Sequence, residues 1–143
     1  MTAYFGSNAT KRRATPPQAI DLGDQGGRVR HSYDEVATTT AMTTADTIEL
    51  GLLPVGARVV GLQVGWAAHG ASRTIKIGDA GDDDRFLAAT SIASAGASTA
   101  LAVTGAGYRN TTGAPVAILA TIDGGTLAAT AAGLTVSLQY VQD

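Results

Sequence analysis

The chain has 143 residues, a formal net charge of −2, no cysteine and 18 glycines, and 45% of it is apolar. One domain's worth of length buries roughly 68–70% of its unfolded surface; the missing cysteines exclude disulfides, thiolate catalysis and zinc–thiolate centres, and the lack of a basic stripe argues against general nucleic-acid binding. No stretch approaches the ~20 apolar residues of a membrane-spanning helix, and the basic residues near the start have no apolar run behind them, so no signal peptide is expected and the chain reads as made in the cytoplasm.

Residues 1–26 show neither helical nor strand periodicity. They hold Lys11-Arg12-Arg13 and then Pro16-Pro17, and a double proline favours extended backbone. Two readings stand: a loose, solvated tail, or an extended arm that orders on a neighbouring subunit. In the second, Tyr4, Phe5, Ile20 and Leu22 are the apolar anchors, and Lys11, Arg12 and Arg13 meet phosphate or an acidic protein surface.

From residue 27 the pattern changes to period two. Val29, His31 and Tyr33 alternate with Arg28, Arg30 and Ser32, which predicts a strand with His31 partly buried and hydrogen-bonded. Ile48, Leu50 and Leu52 share one face of the next strand, and Pro54-Val55-Gly56-Ala57 reads as a turn. Val60, Leu62, Val64 and Trp66 share a face of the clearest strand. Ala68-His69-Gly70 then turns the chain back, leaving His69 exposed, and Ile75 and Ile77 complete a hairpin with the preceding strand.

The stretch Gly78-Asp79-Ala80-Gly81-Asp82-Asp83-Asp84-Arg85 is the one dense cluster of ionisable groups. It reads as a solvated turn in which Gly81 supplies an unusual backbone angle. Phe86 to Ala95 fits a short helix and an extended edge strand equally well. Leu101 and Val103 mark a further strand. Val116, Ile118, Ala120 and Ile122 alternate again, Asp123-Gly124-Gly125 is a tight turn, and Leu134, Val136, Leu138 and Tyr140 line the last strand. Seven or eight short strands separated by turn signals, with no long helix, predict an all-β fold. The expected architecture is an antiparallel sandwich or jelly-roll-like barrel over residues 27–143, preceded by the arm. An alanine-rich core with few aromatics also predicts thin packing between sheets, with further burial supplied by partner subunits.

No chemistry assembles from spacing. Asp82, Asp83 and Asp84 are consecutive, so they are not expected to converge on a cation. The spacing also misses the EF-hand pattern. Glycoside hydrolysis needs two carboxylates facing each other, and none are paired. No Gly-x-Ser-x-Gly elbow or phosphate loop occurs. No catalytic residue, metal ligand or cofactor is therefore assigned, and the chain reads as a non-enzyme.

Three segments carry a resemblance. They are Thr47-Ile48-Glu49-Leu50-Gly51-Leu52-Leu53-Pro54-Val55-Gly56-Ala57-Arg58-Val59-Val60, the run Ile75-Lys76-Ile77-Gly78-Asp79 on through Asp84-Arg85-Phe86-Leu87-Ala88-Ala89, and the closing strand Leu134 to Val141. Their style and order resemble the capsid decoration, or cement, proteins of tailed bacteriophages and other small phage virion structural proteins. The resemblance covers residue 28 to the end and leaves the arm outside. It implies a β-rich subunit, trimeric, on the outer surface of the mature head. There it bridges major capsid proteins and stabilises the shell, with no direct nucleic-acid or membrane contact. The alternative is a carbohydrate- or receptor-binding module, or another component, of a phage tail, with Tyr108-Arg109-Asn110 and Trp66 as its binding surface.

Overall fold

The computed structural model describes residues 7–19, 27–37, 41–127 and 133–142. A short helix, α1 (Ser7–Arg13), is followed by eight strands. These are β1 (Val29–Ala37), β2 (Thr47–Leu53), β3 (Arg58–Trp66), β4 (Thr74–Asp79), β5 (Asp82–Ser91), β6 (Gly96–Ser98), β7 (Val116–Gly124) and β8 (Gly133–Val141).

The strands form two antiparallel four-stranded sheets, ordered β1-β8-β3-β6 and β2-β7-β4-β5. Every connection except β4–β5 passes from one sheet to the other. This is the strand order of an eight-stranded jelly roll, so the all-β sandwich expected from the turn spacing is the observed fold. The alternating apolar positions of both sheets meet between them. Leu62, Val64, Leu134, Val136 and Leu138 come from the first sheet and Ile48, Leu50, Ile75, Ile77, Ile118 and Ile122 from the second, with Phe86 the largest fully buried side chain.

Several local expectations are corrected. The segment Ser7–Arg13 is helical rather than extended. Ala, Lys and Arg are good helix formers, and a basic last turn favours the negative end of the helix dipole. Pro16-Pro17 bars continuation just beyond, where Gln18 N–H bonds back to the Lys11 carbonyl at 3.0 Å. β3 and β4 are not a hairpin, because their apolar faces meet across the sandwich instead of lying side by side. The hairpin is β4–β5, with Asp79 opposite Asp82 around Ala80-Gly81. Residues 82–91 are therefore strand, which settles the helix-or-strand ambiguity after Phe86 and puts Asp82, Asp83 and Asp84 in β5 instead of a loop. Gly81 is not among the residues with left-handed backbone. Leu101 and Val103 form no strand: the chain turns there, Gly105 packs against the Arg85–Phe86 backbone, and Val103 is 93% exposed. β7 runs on through Gly124, so the tight turn expected at Asp123-Gly124-Gly125 is shifted to the strand's end, and β8 lies in the other sheet.

Two bulges explain why simple alternation fails in β2 and β3. At Gly51, with φ of 130°, the register against β7 shifts between Glu49 and Leu52. Leu52 swings out to 50% exposure and Leu53 takes the buried place. Glycine suits the position because L side chains rarely adopt this φ, and a Cβ would also crowd the Ser32 hydroxyl of β1. A second shift, between Val59 and Gly61, buries Val59 and exposes Val60.

Candidate functional site

The Asp-rich segment builds a structural clamp at one end of the sandwich. Asp79 ends β4 and is buried. Its Oδ1 accepts the amides of Gly81 and Asp82 at 2.9 and 3.0 Å, which closes the β4–β5 turn. Its Oδ2 accepts Arg85 Nε at 2.6 Å, and Oδ1 also accepts Arg85 Nη2 at 3.4 Å. The Arg85 guanidinium lies 4.3 Å from the Tyr108 ring centroid, and Tyr108 meets Phe86 edge-on at 5.9 Å. Desolvation works against the Arg85 charge, but the Asp79 hydrogen bond and charge outweigh it and raise the pKa. Burial, then the Asp79 charge, raises Tyr108. Each part of this group is spent on another part, leaving a latch rather than a reactive centre.

Asp82, Asp83 and Asp84 depart from expectation. One carboxylate oxygen from each lies within 4.8 Å of those of the other two. They converge because β5 is irregular here, with its register against β4 shifting between Ile77 and Asp79. A hydrogen bond with Asp82, then desolvation and repulsion from Asp82 and Asp83, pushes Asp84 above the usual carboxylate range. Protein cations answer part of this charge: Arg85 approaches Asp82 at 3.8 Å and Lys76 approaches Asp83 at 3.5 Å.

Both histidines also differ from the sequence reading. His31 stands exposed on β1, since that strand's outward face carries Val29, His31 and Tyr33 while Ser32, Asp34 and Val36 face inwards. His69 is buried and its Nδ1 has no hydrogen-bond partner. Its backbone N–H bonds to the Ile92 carbonyl, which draws the residue beneath the connection between the sheets. Desolvation, then the nearby Arg73 charge, lowers the His69 pKa. Among the described residues neither histidine is hydrogen-bonded to a carboxylate or a serine hydroxyl, so no nucleophile–base pair is assembled.

Of the candidate sugar-binding residues, Arg109 is exposed, whereas Tyr108, Asn110 and Trp66 are engaged within the fold. Asn110 is fully buried; its amide donates to the Leu53 and Ala114 carbonyls at 3.0 and 2.8 Å and its Oδ1 accepts from Thr112. Tyr108 lies under Arg85. Trp66 packs against the core and donates Nε1 to the Ser94 carbonyl at 2.9 Å.

The surface best suited to a macromolecule is the outer face of the β1-β8-β3-β6 sheet. Registered rows cross it: Tyr33 beside Ser137 beside Gln63, and His31 beside Gln139 beside Gly61. Its charged members are Arg58, opposite Val141, and Glu35, which lies next to Thr135 and takes a hydrogen bond from Tyr33 Oη at 3.3 Å. Val29 and Tyr33 are 59% and 57% exposed. Tyr33 lines both of two shallow open depressions, of about 280 and 410 Å³. Such open relief fits a protein surface better than an enclosed small molecule, whose pockets bury most of the ligand. Of the arm residues named from sequence, Lys11, Arg12 and Arg13 fall in the last turn of α1, whereas Tyr4, Phe5, Ile20 and Leu22 lie outside the described residues.

No protein-family model matches the chain, and no curated protein matches it. Solved phage capsids do. A chain of the cyanophage Pam1 capsid asymmetric unit is 26% identical, with a TM-score of 0.72 and coverage of 100% of both chains. A chain from the capsid of Ralstonia phage GP4 is 20% identical, with a TM-score of 0.66, covering 82% of this chain and 86% of that one. A chain from the acid-stable capsid of Helicobacter pylori bacteriophage KHP30 is 16% identical, with a TM-score of 0.56, covering 79% and 86%. The last two share the fold alone. The structural neighbours are thus phage capsid proteins, the group whose motifs the sequence resembles.

Proposed function

We propose that the chain is a structural protein of a phage virion that decorates the outer surface of the head and stabilises the shell by bridging major capsid proteins. The observation that carries this reading is the end-to-end similarity to one chain of the Pam1 capsid asymmetric unit, at full coverage of both chains. The site geometry supports it from the other side: Asp79 and Arg85 form a latch, and Asn110 and Trp66 of the candidate sugar-binding residues are engaged in internal hydrogen bonds.

The nearly uncharged outer face of the β1-β8-β3-β6 sheet is the surface assigned to the capsid. Its exposed tyrosine and near-absence of charge match the composition of interface cores. In this reading the subunit acts as a homotrimer and residues 1–26 reach a neighbour through Tyr4, Phe5, Ile20 and Leu22, with Lys11, Arg12 and Arg13 on an acidic surface. Weak contacts repeated by lattice symmetry then add up to tight attachment.

The test is electron cryo-microscopy of particles assembled with and without the protein. Density of this jelly roll on the outside of the head, at points where capsid proteins meet, is expected. Density confined to the tail, or to the inner surface, overturns the reading. Binding by a chain lacking residues 1–26 that equals the full chain removes the arm from it.

A further inference from the structure

β1 is an edge strand. It pairs with β8 on one side, and among the described residues no strand pairs with its other side. At nine residues it presents a long row of backbone groups of the kind that pairs with a second strand. Its charges are also sorted along its length. Arg30 and His31 precede the midpoint, with Arg28 just before the strand, and Asp34 and Glu35 follow it.

We infer that β1 pairs antiparallel with β1 of a second copy about a twofold axis through Ser32. Directly opposed residues of an antiparallel pair carry their side chains on the same face. For a strand meeting its own copy, opposed residue numbers must therefore sum to an even value. Centring on Ser32 sets Arg30 opposite Asp34 twice, His31 opposite Tyr33, and Val29 opposite Glu35. Sliding to a centre at Tyr33 sets Arg30 against Val36 and leaves no arginine–carboxylate pair. Sliding to His31 sets Arg30 against Ser32 and offers Asp34 only Arg28, which lies before β1, so only the Ser32 register pairs Arg30 with Asp34 within the strand. Guanidinium–carboxylate bonds are among the strong hydrogen bonds, so they select the register. Asp34 uses Oδ1 to accept the Glu35 amide at 2.8 Å, which holds its carboxylate in place. The pairing joins two β1-β8-β3-β6 sheets into one continuous sheet and doubles the nearly uncharged outer face.

An edge contact of this kind is smaller than a stable interface, so the association is weak and concentration-dependent in solution. On a lattice it links neighbouring copies and is multiplied by their number. It is separate from the threefold contacts of the proposed trimer and does not rest on the capsid reading.

Sedimentation of the isolated full chain, from micromolar to millimolar, tests it, with far-UV circular dichroism to verify the fold of each variant. Arg30→Asp and Asp34→Arg are each expected to weaken self-association on the order of tenfold, because two attractive pairs become repulsive. The double variant Arg30→Asp/Asp34→Arg restores it. Self-association that ignores the single reversals, that the double variant fails to restore, or that is absent to millimolar concentration overturns the pairing. None of these results bears on attachment to capsids.

Discussion

The two outer faces of this sandwich share one architecture and differ in chemistry. Behind each lies the same alternation of buried aliphatic side chains. On the β2-β7-β4-β5 face, Lys76 bridges Asp123 at 2.8 Å and Asp83 at 3.5 Å, and Thr74 Oγ1 donates to Asp123 at 3.3 Å. That face pairs part of its charge internally. On the β1-β8-β3-β6 face, hydroxyls, amides and an exposed tyrosine stand where the other face carries charged groups. The difference teaches that the core pattern settles the fold and leaves the outward positions free, so one face closes on itself while the other stays available for docking.

The sharpest test of this contrast uses glycines. In Gly78→Ala on the charged sheet, the new Cβ meets the Asp82 and Asp83 backbone, which cannot yield. A loss of about 3 kcal/mol is expected by urea unfolding. Gly65→Ala on the opposite sheet meets the Thr135 hydroxyl, a movable side-chain atom, and is expected to lose less. Equal losses would mean that the two sheets are equally intolerant. Asp79→Ala comes next: it strips Arg85 and the turn amides of their acceptor, and a loss of about 2 kcal/mol is expected in the same measurement.

Tyr33→Ser should invert the pattern. Stability is expected to stay within about 0.5 kcal/mol, since the side chain is exposed. Co-sedimentation with particles is expected to fall roughly tenfold, the cost of truncating an aromatic contact. Unchanged particle binding would move the docking surface elsewhere.

The smallest effect is electrostatic. The Lys76 hydrogen bond lowers the Asp123 pKa, and Asp123 in turn raises Lys76. The Asp123 contribution is complete above the unfolded carboxylate value of about 3.9 and disappears as pH falls through the lower folded value. The Lys76 contribution is complete below about 10.4 and disappears as pH rises through the higher folded value. Asp123→Asn should therefore lower the middle of a thermal-melting profile slightly and leave its acid end unchanged, which flattens the acid limb. A profile identical to the parent removes the pair from the account of that face.

Much of the architecture was legible in the sequence. The period-two runs at Leu134 to Tyr140 and Val116 to Ile122 are strands with the expected inward faces, and Pro54-Val55-Gly56-Ala57 is the expected turn, with Gly56 at φ of 78°. Alternation reports burial through one residue's neighbours in sequence, so it worked wherever the strand was regular. It failed at Leu52 and Val60, where a bulge inverts the faces, and at Val103, where two apolar residues were too few to hold a strand. The sandwich itself needed nothing beyond the chain: apolar alternation and turn residues leave few other ways to bury these side chains.

Which strands become neighbours was settled by packing in three dimensions. β3 with β8 and β4 with β7 are distant in sequence, and choosing them over a β3–β4 hairpin depends on two apolar faces closing over one another. The same closure buried His69 and Asn110, drew Asp79 onto Arg85, brought three consecutive aspartates together, and left Tyr33 outside. Sequence spacing fixes how side chains are distributed along a strand. Solvent exclusion between layers, which spacing does not encode, fixes which of them remain to meet a partner.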